Sequence, residues 1–314
     1  MRRKIRVGGR GSALAVAQSR LVMGAIAAAH PELELELVTF RTTGDVNMKP
    51  FAEVSDPSGI KGLFTLELEQ ALLGGDIDLA VHSLKDVPMQ QDERLPIVAY
   101  SKRGDPRDAL VLPAREGGHP LTESGEAGWT GPFGPIGCSS ARRRLQLERL
   151  FPACEVTPVR GNVQTRLRKL DEGRFSALIL AASGLERLGL EGRITRFFSI
   201  GEMVPAAGQG ILACQGRAGE PYDYLDAVRD QDSEDCALAE RAFVAALAGG
   251  CSLPVAAHAV VEGDVLTLTG LYMEEAPGIY RRDILSGPRR EAKRLGENLA
   301  ASVQHAVKKE ADNG

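Results

Sequence analysis

The first part of the chain alternates short apolar segments with amphipathic ones. Residues 5–7 and 33–39 have the alternating apolar pattern of strands, and residues 12–29 between them have apolar positions at helical spacing. A second amphipathic helix is predicted over residues 63–73, and a buried strand over residues 77–81. Strands that alternate with helices in this way predict a parallel α/β sheet.

The same order begins again near residue 135. Residues 135–137, 155–159 and 177–181 are predicted strands, and helices are predicted over residues 142–150 and 160–170. No internal repeat is visible in the sequence. The two halves therefore share the alternation of strands and helices but no sequence motif. We therefore predict two separate α/β units.

The pattern changes again beyond residue 229. A charged helix is predicted over residues 232–247, then two strands over residues 255–261 and 265–272 with a turn between them, and a last helix over residues 289–307. This order is typical of a small α+β domain. Three stretches rich in glycine, proline or polar residues are predicted as a long loop, a surface insertion and a crossing or hinge segment, respectively residues 44–62, 117–134 and 205–216.

Composition excludes several classes of function. The net charge is −4 and only 5% of the residues are aromatic, which argues against a nucleic-acid partner. The five cysteines form no CxxC pair and the five histidines no HxH or HxxxH pair, so we predict neither a disulfide framework nor a metal site. Because no segment has the ~20 apolar residues of a membrane span and the N-terminus lacks a signal-peptide core, a cytoplasmic protein is predicted.

Arginines recur at predicted strand-to-helix turns. Arg10 lies in a glycine-rich turn before Ser12, a run of three arginines follows Cys138-Ser139-Ser140, and Arg160 and Arg166 flank a third turn. Taken singly, a glycine loop is more often a plain turn and an arginine run a solvated face. Ligands of open α/β sheets bind at the carboxyl ends of strands, so the repetition predicts a site for a ligand with several carboxylates.

Two further motifs could carry chemistry. Asp86 follows a buried strand beside Lys85, where it is either a turn-capping ion pair or a carboxylate that handles protons. Cys251 lies in a tight loop of glycines and a proline, which suits an accessible thiol and covalent attachment. The other four cysteines are interpreted as small buried apolar residues.

Together these blocks resemble the porphobilinogen deaminase family over nearly the whole chain. The blocks are, in order, RVGGRGSALAVAQ, KGLFTLELEQALL, DLAVHSLKDVP, DPRDALV, IGCSSARRR, VRGNVQTRL, LILAASGLERLG, PAAGQG and GGCSLPVAAHA. The resemblance implies two α/β domains like the halves of periplasmic binding proteins, around a cleft, plus a small α+β C-terminal domain. The implied boundaries are residues 1–103 with about 208–228, residues 104–207, and residues 229–314.

The resemblance also implies an activity and a cofactor. Four porphobilinogen molecules would be condensed head to tail, with loss of ammonia, on a dipyrromethane held by a thioether at Cys251, and hydrolysis would release hydroxymethylbilane. Asp86 would be the catalytic carboxylate. The implied cofactor-binding residues are Lys85, Ser83, Ser139, Arg142, Arg143, Arg160 and Gln209. The implied substrate-binding residues are Arg10, Ser12, Lys61, Phe64, Arg166 and Arg187. A monomer that binds neither nucleic acid nor membranes is expected.

Two positions depart from the family pattern. Gly9 stands where a hydroxyl residue is common, and Cys138 where threonine is usual. Each departure removes one hydroxyl from the carboxylate-binding set, and we expect a slightly altered affinity. Arg144 is an additional positive charge without an assigned role.

Two alternatives stay open at the level of sequence. A non-catalytic module that binds a polycarboxylate would explain the arginines but not Cys251 or Asp86. A transferase or hydrolase with a cysteine nucleophile and no pyrrole cofactor would explain Cys251, although no histidine accompanies it in the motif.

Overall fold

A computed structural model describes residues 3–40, 65–114, 134–247, 254–274 and 278–313, with side chains as far as residue 309. The strands are β1 (Lys4–Arg10), β2 (Glu34–Phe40), β3 (Leu79–Ser83), β4 (Ile97–Tyr100), β5 (Asp108–Val111), β6 (Ile136–Gly137), β7 (Val156–Thr157), β8 (Ala177–Ala181), β9 (Arg196–Phe197), β10 (Leu212–Gln215), β11 (Val255–Glu262), β12 (Val265–Met273) and β13 (Tyr280–Pro288). The α-helices are α1 (Ala13–Ala29), α2 (Leu66–Gly74), α3 (Ala141–Leu150), α4 (Val163–Asp171), α5 (Ala182–Glu186), α6 (Gln231–Leu247) and α7 (Ala292–Asn313).

Contacts group the chain into two units. The first consists of Met1–Gly104 with Gly210–Ala237, and the second of Asp105–Gln209 with Leu238–Gly314. The chain therefore passes from one unit to the other at residues 104–105, returns at residues 209–210 and passes again at residues 237–238, within α6. The second passage lies in the segment predicted to cross or hinge.

The first unit contains a five-stranded sheet in the order β2-β1-β3-β10-β4. β2, β1 and β3 are parallel, and β10 runs antiparallel to both of its neighbours. Alternate residues of β3 enter different clusters: Leu79 and Val81 pack with Val22 and Ile26 of α1, and Ala80 packs with Leu68 of α2. A sheet buried on both faces in this way needs nearly continuous apolar strands, which is what the sequence of β3 provides.

The second unit has a sheet in the order β7-β6-β8-β5-β9. β7, β6 and β8 are parallel, and β5 is antiparallel to β8 and β9. Its strands are also apolar on both faces: Leu178 and Leu180 of β8 pack with Leu167 and Leu170 of α4, whereas Ile179 packs in another cluster. Both sheets thus have three parallel strands and a fourth strand that runs antiparallel to them and follows a passage between units. The edge strand beside it is antiparallel to that fourth strand.

The C-terminal part of the second unit is a three-stranded antiparallel sheet in the order β11-β12-β13, packed against helices. Gly270 of β12 allows close packing, because a Cβ there would lie 2.4 Å from the ring of Phe243 on α6. Gly296 lets α7 approach α6, since its Cβ would lie 2.3 Å from the Ala239 carbonyl oxygen. The fold class predicted from the sequence, two α/β domains and a small α+β domain, is confirmed.

Some elements differ from the sequence-based expectation. β7 is only two residues long where five were predicted, and β4, β5, β9, β10 and β13 were not predicted at all. The missed β10 lies within the glycine-rich crossing segment, whose composition hides the short strand Leu212–Gln215. The three-domain boundaries stay a prediction. The predicted loop over residues 44–62 and nearly all of the insertion over residues 117–134 lie outside the described residues.

Candidate functional site

The carboxyl ends of the parallel strands in the first unit bring two predicted motifs to one edge. Arg10 ends β1 and Ser12 caps α1, its Oγ accepting a hydrogen bond from the Ala15 amide at 3.3 Å. Lys85 and Asp86 lie in a 3₁₀ turn, Leu84–Asp86, directly after β3. Because β1 and β3 are hydrogen-bonded neighbours, the two turns leave the sheet side by side.

Ser83, the last residue of β3, is held by a residue that the sequence analysis did not single out. The Nε2 of Gln18 donates to the Ser83 Oγ at 2.9 Å, and Gln18 itself is buried on α1. This bond ties the first helix to the strand end that carries Asp86. A polar residue on the buried face of a helix is the signal that could have revealed it.

His82 is a buried neutral group beside this edge. Its Nε2 forms a hydrogen bond of 3.1 Å with the Gln215 Oε1 of β10. Burial lowers the pKa of His82 to about 4, with the Gln215 bond and the charge of Asp86 opposing the shift and the charge of Arg10 adding to it. The imidazole therefore carries no charge near neutral pH.

The departure at Gly9 has a steric cause in this chain. A Cβ at Gly9 would lie 2.4 Å from the Oγ of Ser19, so the Ser19 hydroxyl occupies the space of a side chain at position 9. Ser19 is fully buried on α1. A hydroxyl is thus present near position 9, but it belongs to the helix and is enclosed.

In the second unit, three strand ends again meet at one edge. The turn after β6 holds Ser139, the turn after β7 holds Arg160, and α5 follows β8 directly. The Oγ of Ser139 donates to the Val159 carbonyl at 2.6 Å and accepts from the Val159 amide at 2.9 Å. This hydroxyl therefore links the turn after β6 to the turn after β7. It fixes the backbone of Val159, directly before Arg160.

Arg142 and Arg143 meet a carboxylate that the sequence analysis did not single out, that of Asp108. The Nη1 of Arg142 lies 2.8 Å from the Asp108 Oδ2, and the Nε and Nη2 of Arg143 donate to its Oδ1 at 3.0 and 2.7 Å. All three side chains are buried. Burial alone would raise the pKa of Asp108, but the two guanidinium charges outweigh it and the pKa lies well below its usual range.

Gln209 belongs to the same cluster. Its Nε2 donates to the Pro106 carbonyl at 2.7 Å and to the Asp108 Oδ1 at 2.9 Å. The cluster therefore contains three of the predicted cofactor-binding residues, with Asp108 at its centre. The available signal in the sequence was an acidic residue at the head of an otherwise apolar run, Asp108–Val111.

The remaining predicted arginines of the second unit are less enclosed. The Nε of Arg166 donates to the Gly161 carbonyl at 2.8 Å, and the Lys169 Nζ donates to the Arg160 carbonyl at 3.0 Å. Arg187 follows α5, and burial lowers the pKa of its guanidinium to about 10. Arg144, which had no assigned role, pairs with Glu148 one helical turn along α3 at 3.1 Å.

Three predicted residues cannot be placed. Lys61, Phe64 and Cys251 lie outside the described residues. Of the cysteines interpreted as buried apolar residues, Cys138, Cys214 and Cys236 are buried free thiols, and Cys154 is half-buried.

Comparison with known proteins decides the family. One family model, described as "Porphobilinogen deaminase, dipyromethane cofactor binding domain", matches residues 5–222, and a second, "Porphobilinogen deaminase, C-terminal domain", matches residues 235–304. The chain belongs to the porphobilinogen deaminase family. The porphobilinogen deaminase of Acetivibrio thermocellus is 50% identical over 300 residues, 96% of this chain and 98% of the relative, and that of Ruminiclostridium josui is 48% identical over 302 residues, with the same two coverages.

Membership in the porphobilinogen deaminase family defines the chemistry. The protein is a transferase of tetrapyrrole biosynthesis whose substrate is porphobilinogen and whose cofactor is a dipyrromethane. Among solved structures, the effector-binding domain of BenM with benzoate aligns with a TM-score of 0.41 at 16% identity, over 72% of this chain and 88% of that one, a likeness too distant to bear on function. Within the described part of the chain, no helix has both the length and the apolar composition of a membrane span.

The donor chemistry of the second unit fits a dipyrromethane. Each pyrrole ring of this group carries an acetate and a propionate, so it needs several cationic or hydrogen-bonding partners. Arg187 is a guanidinium whose pKa is depressed by burial, and an anion beside it would offset that desolvation. The guanidinium, hydroxyl and amide groups described above in this unit are donors of this kind.

The departure at Cys138 leaves a thiol next to the arginine cluster. Its Sγ donates to the Ser140 carbonyl at 3.7 Å, and burial raises the pKa of the thiol, against the opposing charge of Arg143. A buried thiol with a raised pKa is a poor nucleophile. Cys138 is therefore not equipped to compete with an accessible cysteine for a covalent partner.

Proposed function

We propose that Asp86 is the catalytic carboxylate of the family's reaction. Its turn is fixed by β3 and by the Gln18–Ser83 bond, while the neighbouring His82 stays neutral. A carboxylate held in this way can accept hydrogen bonds from a pyrrole N–H and stabilise the positive charge that develops as the aminomethyl group of porphobilinogen loses ammonia. Lys85, a cation of the same 3₁₀ turn, lies next to Asp86 in the chain.

The guanidinium groups bind ligand carboxylates in this proposal. Arg142, Arg143 and Arg160, with Ser139 and Gln209, would hold the cofactor, as would Lys85 and Ser83 in the first unit. Arg10, Ser12, Lys61, Phe64, Arg166 and Arg187 would bind substrate. The observation that carries the proposal is the position of Arg10, Asp86, Ser139 and Arg160 at the carboxyl ends of parallel strands within each unit.

Cys251 is the proposed covalent anchor. When bound, the dipyrromethane supplies the pyrrole carbon to which the first substrate is joined. A thioether at Cys251 would keep the growing chain on the protein, so that each coupling becomes effectively intramolecular. After four additions, hydrolysis would release hydroxymethylbilane. We further infer that the protein acts as a cytoplasmic monomer without a nucleic-acid partner, in line with its net charge of −4.

The first experiment replaces Asp86 with asparagine. Intact mass should show that Asp86→Asn still carries the dipyrromethane, while turnover of porphobilinogen falls by at least ~10²-fold, the low end for a group that transfers protons. Asp92→Asn is a control from the same unit, because the Asp92 carboxylate forms an ion pair with its exposed neighbour Arg94, and it should leave turnover unchanged. A near-normal rate for loaded Asp86→Asn would make Asp86 a structural residue.

The second experiment tests the anchor. The purified protein should be heavier than its sequence by one dipyrromethane, and Cys251→Ala should abolish both this excess mass and turnover. Cys154→Ala, which removes a half-buried thiol, should retain both. An unmodified but active protein would instead support the alternative of a cysteine enzyme without a pyrrole cofactor.

A further inference from the structure

The carboxylate of Asp108 joins three segments of the second unit. Asp108 is the first residue of β5, and its Oδ1 accepts from Arg143 of α3 at 2.7 and 3.0 Å and from Gln209 at 2.9 Å. Its Oδ2 lies 2.8 Å from the Nη1 of Arg142. The side chain is fully buried, so these contacts are made away from solvent.

Each guanidinium in the cluster has a second acceptor on a different element. The Nη1 of Arg142 donates to the Val204 carbonyl at 2.6 Å, and the Nη1 of Arg143 donates to the Ile179 carbonyl of β8 at 3.2 Å. A planar group held at two points has its orientation fixed. Both guanidinium groups contact Asp108, and its negative charge offsets the repulsion between their positive charges.

Stability alone does not explain a charge at this position. The corresponding residue of the first sheet is Leu212, which also heads its antiparallel strand and also pairs with the last residue of the third parallel strand. Buried ion clusters are often no more stabilising than apolar residues of similar size. A buried acid that touches two arginines and Gln209 is better explained by the orientation it gives them.

We propose that Asp108 is a positioning residue, which aims Arg142, Arg143 and the Gln209 amide at the carboxylates of the bound pyrroles. This inference rests on the proposed function, in which those three residues hold ligand. Asp108 itself touches no ligand in this proposal. Its effect is transmitted through the guanidinium planes.

A positioning role and a simple charge effect of Asp108 predict opposite changes in the affinity for an anionic ligand. Asp108→Asn removes a negative charge beside two guanidiniums, so electrostatics alone would tighten the binding of an anion. Loss of orientation would weaken it. We would measure, on protein shown by intact mass to carry its cofactor, the KM for porphobilinogen and the inhibition constant of benzene-1,2,4,5-tetracarboxylate as a polycarboxylate probe.

Both constants should rise about 10-fold in Asp108→Asn, the loss expected when a charge-assisted hydrogen bond is misaligned. The kcat of the loaded molecules should change less than the KM. A purely structural residue would lower the folded fraction and leave both constants unchanged. Constants that stay the same or fall in folded Asp108→Asn would overturn the proposal.

Asp108→Glu covers the case in which the neutral variant does not fold. It keeps the buried charge but moves the carboxylate by one methylene, so the two constants should again rise while the ion cluster persists. Wild-type constants in this variant would also overturn the proposal. Asp105→Asn is the matched control, because it breaks the Asp105–Arg107 pair three residues away and should change neither constant.

Arg160→Leu distinguishes a failure of this inference from a failure of the proposed function. If Arg160→Leu and Arg142→Leu raise the probe's inhibition constant and the Asp108 variants do not, only the positioning role is wrong. If none of the four variants changes it, the arginines do not bind carboxylates, and both proposals are wrong.

Discussion

The two sheets have one topology but place their charged residues differently. In each unit a serine caps the first helix after the central parallel strand, Ser12 in α1 and Ser140 in α3, and a buried glutamine lies six residues further on, Gln18 and Gln146. The residues between them differ. Where α1 has Leu14 and Ala15, α3 has Arg142 and Arg143.

The same contrast occurs on the antiparallel strand. Leu212 heads β10 in the first sheet, and Asp108 heads β5 in the second. The first unit thus keeps this position apolar and presents Asp86 on a turn, whereas the second encloses an acid to hold two arginines. One scaffold can therefore present a carboxylate on a turn or enclose one against two arginines, and the choice depends on a few positions at the strand ends.

The largest expected effect comes from making the second unit resemble the first at one position only. Arg142→Leu leaves Asp108 with one fewer cation in a buried setting, and should lower the free energy of unfolding by about 3 kcal/mol. Urea denaturation followed by circular dichroism measures it. Arg144→Leu, which removes the partly exposed pair with Glu148, should cost less than about 1 kcal/mol.

Replacing all three charged residues of the cluster tests whether the fold needs their charges. If the second unit uses charge for ligand binding and not for stability, the combined change Asp108→Leu, Arg142→Leu, Arg143→Met should recover at least half of the stability lost in Arg142→Leu. A combined variant less stable than the single one would show that the ion cluster is needed by the fold.

A smaller effect on stability is expected at His82 of β3. The equivalent residue in the second sheet is Leu180 of β8. The pKa of His82 is lowered from 6.5 to about 4, so between these values the unfolded chain binds the proton more readily than the folded one. Stability from this group is present above pH 6.5 and is lost as the pH falls towards 4.

The variant His82→Gln isolates this contribution, because its amide can still donate to Gln215 but does not titrate. From pH 7.5 to pH 5, wild type should lose about 2 kcal/mol more unfolding free energy than the variant. Parallel pH profiles of the two proteins would show that the imidazole is not buried in its neutral form.

The smallest effect tests Gly9, whose counterpart in the second unit is Gly137. Gly9→Ala should cost about 1 kcal/mol, the low end for overpacking, because its new methyl group meets only the hydroxyl of Ser19, and adding Ser19→Ala should restore most of the loss. A Cβ at Gly137 would instead meet Leu178 at 2.5 Å, so Leu147→Ala, the change that corresponds to Ser19→Ala, should not rescue Gly137→Ala. If the second change restored stability in both units, the cost would instead be relieved by a shift of α1 and α3.

The sequence alone predicted the elements whose periodicity is strong. Helix α1 with its Ser12 cap and strand β8 have the expected bounds, because hydrophobic spacing and capping are local properties. The family followed from motifs, and the arginines of the strand-to-helix turns from their repetition. Short strands such as β10 were not predicted, since three apolar residues beside a glycine-rich segment carry no periodic signal.

What only the tertiary structure decided is which polar side chains meet. Asp108 and Arg143 are 35 residues apart, and Gln209 is 101 residues from Asp108, yet all three share one carboxylate oxygen. No local pattern encodes such contacts, because they depend on β5 pairing with β8 after a passage between units. The sequence by itself determined which charges the chain has and on which elements they lie; the fold decided that an internal acid holds two of the cations predicted to bind ligand, because burial requires each charge to find a partner.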